Sequence, residues 1–178
     1  MVYRFVIFSD EVDNFYREIK IDADATFFDF HNVILDSVNY EKNQITSFFL
    51  CSEQWEREQE VTLFDMDSSS EYDNLVMDKV ELRDLITEER QRLMYMFDNV
   101  SDRAFFIELR EIILGTHLEQ PICSLSKGVP PIQLQTLDDL SASNTDVVDL
   151  DFYGDDDFDL DELGDDGFEN IDFNDPNF

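Results

Sequence analysis

The basic residues of this chain stop at Lys127, and this limits how much of it can fold. All twelve lysines and arginines lie between Arg4 and Lys127, whereas residues 129–178 contain sixteen acidic residues and no basic one. A segment with this charge density repels itself and cannot bury enough apolar surface to fold alone. The sequence therefore predicts a folded domain, residues 1–135, followed by an acidic, aromatic-containing disordered tail, residues 136–178.

The first part of the chain has the length and the apolar content of one ordinary domain. Of the formal net charge of −31, the first 128 residues carry −15. This charge argues against direct binding to duplex DNA, because contacts of lysine and arginine with phosphates supply most of that affinity. It argues equally against binding to anionic membrane surfaces.

Localisation is predicted from the apolar runs and the cysteines. No apolar run approaches the length of a membrane span, and a strand-like run that begins at Val2 leaves no room for a signal peptide. Cys51 and Cys123 are far apart, and neither has a Cys-x-x-Cys partner. We expect two reduced thiols in a cytoplasmic protein.

The hydrophobic period predicts a hairpin followed by a helix. Residues 2–8 are almost all apolar, which predicts a largely buried strand, whereas residues 15–21 alternate, with Phe15, Ile19 and Ile21 on one side and polar residues on the other. Together they predict an antiparallel hairpin with a half-solvated second strand. At Thr26 the period changes, and apolar residues recur every three or four positions through Val38. This spacing predicts an amphipathic helix over residues 27–38, with Thr26 and Asp29 as its capping box.

The later segments predict more strands and little further helix. We expect strands at residues 46–52, 59–64, 92–97 and 105–114, with a bulge or the end of a strand after Glu111. Residues 80–86 are predicted as a short helical turn, residues 68–71 as a polar surface loop and residues 99–102 as a turn. The fold class is therefore α+β, with one main helix packed on one face of a mostly antiparallel sheet.

The order and spacing of several motifs resemble those of the plasmid pRiA4b ORF-3-like family, whose members also occur as passenger proteins of insertion elements. The resemblance covers residues 2–132. The motifs are Tyr3-Arg4-Phe5, Phe15-Tyr16-Arg17-Glu18-Ile19, Thr26-Phe27-Phe28-Asp29-Phe30-His31, Tyr95-Met96-Phe97-Asp98 with Asp102, and Pro121-Ile122-Cys123 with Gly128 and Pro130-Pro131. It implies a fold and a mobile-element context, and it implies no reaction.

The chain departs from the family pattern at two places. Asn99-Val100-Ser101-Asp102-Arg103 stands where the family usually has Gly-Asp-x-Trp. Ile132-Gln133-Leu134 follows the double proline, where the family usually has Glu-Asp-x-Gly-Gly. Both departures weaken any site that the family builds in these regions.

Two pairs of residues are candidates for chemistry. Asp98 and Asp102 flank a turn and could share a metal ion or act as acid and base, but we favour a turn-closing role for Asp98 because no third ligand is evident. Cys123 and His117 could act as nucleophile and base, but such residues are more often a buried apolar cysteine and a surface histidine. We predict no catalytic residue, no cofactor and no metal site. His31, beside the apolar stripe, is expected to be packed and hydrogen-bonded.

The tail carries the residues that we predict to bind a protein, namely Phe168, Phe173, Asp175 and Phe178. Alternation of acidic and aromatic residues is typical of segments that dock into basic, apolar-lined grooves. Residues 171–178 also resemble the end of bacterial single-stranded-DNA-binding proteins. A terminal phenylalanine offers a ring for a pocket and a carboxylate for an arginine or lysine on its rim. The alternative is that the tail only keeps the protein soluble.

The sequence favours a non-enzymatic module whose tail docks onto a basic protein partner, in mobile-element or DNA-transaction biology. One alternative is an enzyme of unknown reaction that uses Asp98, Asp102 and the loop around Cys123. Another is an acidic mimic of nucleic acid. A further hypothesis is that the tail covers a local basic surface of the same chain, built from Arg83, Arg90, Arg92, Arg103 and Arg110.

Overall fold

The computed structural model describes residues 1–65 and 75–134. Two helices lie in this part of the chain, α1 (Phe27–Val38) and α2 (Leu82–Leu85). The strands are β1 (Val2–Phe8), β2 (Tyr16–Asp22), β3 (Ser47–Cys51), β4 (Arg57–Thr62), β5 (Leu75–Val76), β6 (Arg92–Asp98), β7 (Arg103–Ile113) and β8 (Ile122–Lys127). The predicted loop at residues 68–71 and the predicted tail at residues 136–178 lie outside the described residues.

All eight strands form one sheet in the order β5-β4-β3-β6-β7-β1-β2-β8. The pairing is antiparallel throughout, except that β5 runs parallel to β4. The predicted α+β class, with one main helix on a mostly antiparallel sheet, is confirmed. None of the helices in residues 1–65 and 75–134 has the length and apolar character needed to cross a membrane.

Helix α1 has the boundaries that its sequence predicts, because local signals mark both ends. The Asp29 amide donates to Thr26 Oγ1 at 3.1 Å, and the Thr26 amide donates to Asp29 Oδ2 at 2.9 Å, which completes the capping box. Asn39 ends the helix in the left-handed conformation, with φ of 57°.

The core lies between α1 and one face of the sheet, and aromatic rings fill much of it. The ring of Phe30 stacks on Phe5 and on Phe48, at centroid distances of 4.6 and 5.4 Å. Phe97 and Phe105, from neighbouring strands, lie 4.6 Å apart. Such pairs contribute more than their buried area alone, so α1 is tightly fixed on the sheet.

The opposite face of the sheet carries a smaller, half-buried aromatic group. Trp55, in the turn between β3 and β4, packs edge-on against Phe8 and Phe106 at 5.7 and 5.0 Å. The guanidinium of Arg92 lies 5.0 Å from the Trp55 ring centroid. Trp55 has a φ of 65°, which is rare for a bulky residue, so the surrounding contacts must hold this turn.

Two strands and one irregularity differ from the predictions. Strand β5 has two residues, too few to show a period, and the predicted loop around Cys123 is instead strand β8. The predicted bulge after Glu111 lies one residue earlier: Glu111 pairs with Arg4 and Leu109 with Phe5, so Arg110 is the extra residue. Strand β7 continues beyond it to Ile113.

Candidate functional site

The turn between β6 and β7 holds Asp98 and Asp102, and the two carboxylates have different partners. Asp98 Oδ1 accepts hydrogen bonds from the amides of Val100 at 3.1 Å and Ser101 at 3.2 Å. The Asp98 side chain therefore closes the turn by accepting hydrogen bonds from the backbone amides within it. Asp102, with φ of 56°, accepts a hydrogen bond from Arg57 Nη2 at 2.8 Å.

Because of these contacts, the two carboxylates have no partner in common. The remaining oxygen of Asp98 lies 3.7 Å from Arg103 Nη1, whereas Asp102 is held by Arg57. Within residues 1–65 and 75–134, no group of three or more His, Cys, Asp and Glu side chains is arranged to hold a metal ion. The turn is a structural junction between β4, β6 and β7.

Arg103, predicted only as one member of a basic surface, is the best-connected charged residue near this turn. Its side chain is only 8% exposed. Both oxygens of Glu11 accept hydrogen bonds from its guanidinium, the shortest from Nη2 at 2.7 Å. The same nitrogen donates to the Ile132 carbonyl at 2.7 Å, and Nη1 donates to that of Gln133 at 3.3 Å. Arg103 thus joins the β1–β2 turn to the end of the folded body.

Tyr40 and Glu41 hold the same segment from the side of α1. The Tyr40 hydroxyl donates to the Pro131 carbonyl, and burial raises the pKa of Tyr40, which keeps the hydroxyl protonated as a donor. The side chain of Gln133 accepts from the amide of Glu41 and donates to its carbonyl, both at 2.8 Å. We call the group formed by Glu11, Tyr40, Glu41, Arg103 and residues 131–133 the C-terminal clamp.

Cys123 and His117, the other candidate pair, also have separate partners. Cys123 is exposed on β8, which corrects the expectation of a buried thiol, and its Sγ donates to the Leu125 carbonyl at 3.4 Å. His117 Nδ1 lies 2.7 Å from Asp22 Oδ2. Asp22 also accepts from the amides of Leu118 and Asp24. His117 therefore belongs to a cluster that fixes the loop before β8.

The carboxylate at the centre of that cluster, Asp22, was missed because its partners are distant in sequence. Burial is the largest influence on the pKa of Asp22 and raises it. The amides of Leu118 and Asp24, the N-terminus and His117 act in the opposite direction, and together they bring this pKa below its ordinary value.

His31 is packed and hydrogen-bonded, as predicted. Its Nδ1 lies 2.8 Å from the Tyr95 hydroxyl and 3.2 Å from that of Thr46, and the ring is buried. Burial lowers the pKa of His31 to about 4, so the imidazole is neutral at pH 7. A neutral imidazole that is hydrogen-bonded to two hydroxyl groups is compatible with burial in the core.

The arginines proposed for a local basic surface are mostly compensated by carboxylates. Arg83 pairs with Asp24 and Glu81, and Arg103 lies buried in the C-terminal clamp. Glu108 lies 3.9 Å from Arg92 and 3.1 Å from Arg110. Arg90 stands apart, in the turn before β6 at a φ of 72°. These carboxylates offset much of the positive charge of the five residues. Whether the tail covers them stays a prediction, because residues 136–178 lie outside the described residues.

The predicted protein-binding residues Phe168, Phe173, Asp175 and Phe178 lie outside the described residues. Their role stays a prediction from the sequence, as does the boundary between residues 135 and 136. The described chain ends at Leu134, directly after the C-terminal clamp.

Comparisons with known proteins support the fold and its family. No curated protein matches the chain. The crystal structure of MM3350, a protein of unknown function from Methanosarcina mazei Go1, is similar to it with a TM-score of 0.52 and 20% sequence identity, over 70% of this chain and 68% of that chain. The family described as plasmid pRiA4b ORF-3-like protein matches residues 3–133. Since this match spans most of the sequence, the chain belongs to the plasmid pRiA4b ORF-3-like family.

Proposed function

We propose that this protein is a non-enzymatic protein-binding module that presents its acidic C-terminal segment, residues 136–178, to a basic protein partner. The observation that carries the proposal is the C-terminal clamp. Arg103 and Tyr40 bind three successive carbonyls of residues 131–133, so the backbone is held in place shortly before the acidic segment begins in the sequence. A buried arginine and a half-buried tyrosine at this position support a domain that presents the acidic segment.

The composition of the acidic segment sets the chemistry of its partner. Sixteen acidic residues and no basic one attract a positively charged surface. Phe168 and Phe173 supply apolar rings among these charges, so the complementary groove needs apolar walls as well as lysines or arginines. We assign the strongest contact to residues 168–178, where Phe173 and Phe178 flank the carboxylate of Asp175.

Membership of the family supports a partner in mobile-element or DNA-transaction biology, and the free thiols of Cys51 and Cys123 support an encounter in the cytoplasm. Machinery that handles DNA is rich in basic grooves because it contacts phosphates. An acidic segment with interspersed aromatic rings competes for such grooves without binding DNA itself.

A pull-down with matched variants tests the proposal. The full chain is immobilised through its N-terminus and exposed to a bacterial lysate at physiological salt. One variant has Phe168, Phe173 and Phe178 replaced by alanine, which removes three rings and keeps the charge. Its control has Phe152, Tyr153 and Phe158 replaced by alanine, which removes as many rings elsewhere in the acidic segment. We expect a basic protein to be retained by the chain and by the control and lost from the first variant.

Equal retention by all three forms would contradict the role of Phe168, Phe173 and Phe178. It would favour the second candidate function, an acidic mimic of nucleic acid, which the uniform charge of residues 136–178 supports. A variant with residues 136–177 scrambled separates the two functions. Mimicry predicts that the scrambled form retains the same proteins with the same salt dependence.

A further inference from the structure

Strand β8 forms an open edge of the sheet. It pairs with β2 on one side, and in the part of the chain that the structure describes no strand lies on its other side. All six residues of β8 are exposed. An edge strand presents a row of backbone N–H and C=O groups that can pair with another extended chain.

A cleft of about 400 Å³ lies beside this edge, between β8 and helix α1. The helix contributes Asp29, Val33 and Asp36 to its lining, and the segment at the start of β8 contributes Pro121 and Cys123. Cys123 faces the helix because it pairs with Ile19, whose side chain is in the core. The cleft therefore follows the free edge of β8 on the helix side.

The spacing between helix and strand is fixed without any ligand. The buried guanidinium of Arg17 donates from Nε to the Ser37 carbonyl of α1 at 3.1 Å, and from Nη1 to the Lys127 carbonyl of β8 at 2.6 Å. This single side chain joins α1 to the end of β8 that lies away from the cleft-lining Cys123. A site held in this way is preformed, which lowers the entropic cost of binding.

The other face of the β8 edge is apolar. Ile122 pairs with Lys20, and Leu125 pairs with Glu18, so both point away from the helix. Their exposed fractions are 45% and 40%. The bulge between them is pinned by Ser124, whose hydroxyl donates to Glu18 Oε1 at 2.7 Å. The edge thus separates an acidic cleft from a pair of exposed aliphatic side chains.

The charge of the cleft determines which kind of partner segment can bind beside this edge. The cleft lining contains two carboxylates and no basic side chain, within a body whose formal charge is −15. Asp36 contacts Lys42 at 2.7 Å, but both side chains are largely exposed, where such a pair contributes little and exchanges readily. An incoming lysine or arginine can therefore take the place of Lys42.

We propose that an extended, basic segment of a partner protein adds to β8 as a further strand of the sheet. Its lysine or arginine side chains, at alternate positions, point into the cleft toward Asp29 and Asp36. The side chains between them are apolar and rest on Ile122 and Leu125, because successive residues of a strand face opposite sides. Backbone pairing supplies affinity, and the alternation of charge and apolarity supplies specificity. All residues of this site belong to the described part of the chain, and the proposal does not depend on the role of residues 136–178.

The test uses the full chain and a defined probe, a short peptide of alternating lysine and valine with blocked ends. Amide shifts of the labelled protein report where it binds. We expect the shifts to concentrate on residues 122–127 and on the α1 residues that line the cleft. Asp36→Lys should weaken binding about tenfold or more by charge repulsion. The control, Glu60→Lys on strand β4, makes the same charge change at the far side of the sheet and should leave the affinity within about twofold.

A second peptide separates strand addition from simple attraction of charges. It has the same sequence and charge but carries N-methyl groups on consecutive central residues, so it cannot form the ladder of backbone hydrogen bonds. We expect it not to shift the β8 amides. Equal binding of both peptides, shifts confined to residues 136–178, or equal effects of the two lysine substitutions would each overturn the proposal.

Discussion

At Arg103, one guanidinium joins three distant parts of the chain: Glu11, the β6–β7 turn and the carbonyls of Ile132 and Gln133. Arg103→Met keeps much of the side-chain volume and removes the charge. Glu11 and Asp98 would then be left without their cation, and removing one partner of a buried pair costs about 3 kcal/mol or more. We expect a loss of about 3 kcal/mol in the free energy of unfolding, measured with urea.

Arg83→Met is the matched control for this substitution. Arg83 also contacts two carboxylates, Asp24 and Glu81, but its side chain is half exposed. Ion pairs in water contribute about 0–1 kcal/mol, so the control should change little. Equal losses in the two variants would mean that the C-terminal clamp does not stabilise the body.

His31 makes the stability of the fold depend on pH. Its pKa is about 4 in the folded state and 6.5 in the reference state, so protonation favours the unfolded chain. Its contribution to stability is complete above pH 6.5 and is lost as the pH falls toward 4. Between pH 7 and pH 5 we expect this residue to cost about 2 kcal/mol in the free energy of unfolding.

The comparison of the chain with His31→Gln isolates this effect from the titration of the many carboxylates. Glutamine is neutral throughout and can still reach the Tyr95 and Thr46 hydroxyls. Urea unfolding at pH 7 and pH 5 should therefore show a larger fall in stability for the natural chain than for the variant. The same fall in both proteins would be incompatible with a neutral, buried His31.

Among the elements, strand β8 depends on the backbone of Gly128 at its end. Gly128 has a φ of 68°, and a Cβ built there would lie 2.5 Å from the Asn14 carbonyl oxygen. Gly128→Ala therefore adds a backbone clash to the ordinary strain of a left-handed alanine. Gly115 has a φ of 74° and open space around it, so an alanine at this position would have the left-handed strain without a clash.

We predict that Gly115→Ala lowers the free energy of unfolding by about 1 kcal/mol, the strain of one left-handed alanine. Gly128→Ala should cost at least about twice as much, and amide exchange in β8 should become faster. Urea denaturation of both variants checks the difference. Equal costs would show that the contact between Gly128 and Asn14 does not fix the end of β8.

The elements differ in how well the sequence predicts them, and helix α1 and strand β8 mark the extremes. Thr26, Asp29 and the apolar stripe are local signals, and they agree on the limits of α1. Residues 122–127 are exposed on both faces of the strand, so their sequence shows no alternation of apolar and polar residues that would predict a strand. Strand β8 forms because its backbone pairs with β2, which is about a hundred residues away in sequence. Its own sequence does not reveal that pairing.

At the scale of the whole molecule, long-range polar contacts mark the limit of sequence reasoning. The pattern predicted the sheet, its main helix and the core position of His31. It did not predict that Arg103 contacts Glu11 and Gln133, because nothing in the sequence marks which of the twelve basic residues are buried. Equally, Asp98 and Asp102 look like a pair in sequence, but the left-handed turn directs them to different partners.

The charge of the whole molecule gives a prediction about salt. With a formal net charge of −31, repulsion among carboxylates opposes the compact state, and added salt screens it. We expect the urea midpoint of unfolding to rise as NaCl increases from low to physiological concentration. A midpoint that falls would mean that screening of favourable ion pairs, such as that between Arg4 and Glu18, outweighs relief of the repulsion.

The most direct measurement of the central claim is competition with a peptide of the acidic segment. Two synthetic peptides of residues 165–178 are compared, one with the natural sequence and one in which Phe168, Phe173 and Phe178 are alanine. Each is used to displace the protein that the immobilised full chain retains. We predict that the natural peptide releases it and that the alanine peptide does not, because the partner binds the aromatic rings together with the carboxylates. Equal release by both peptides, or by neither, would contradict a partner that recognises the phenylalanines of the acidic segment.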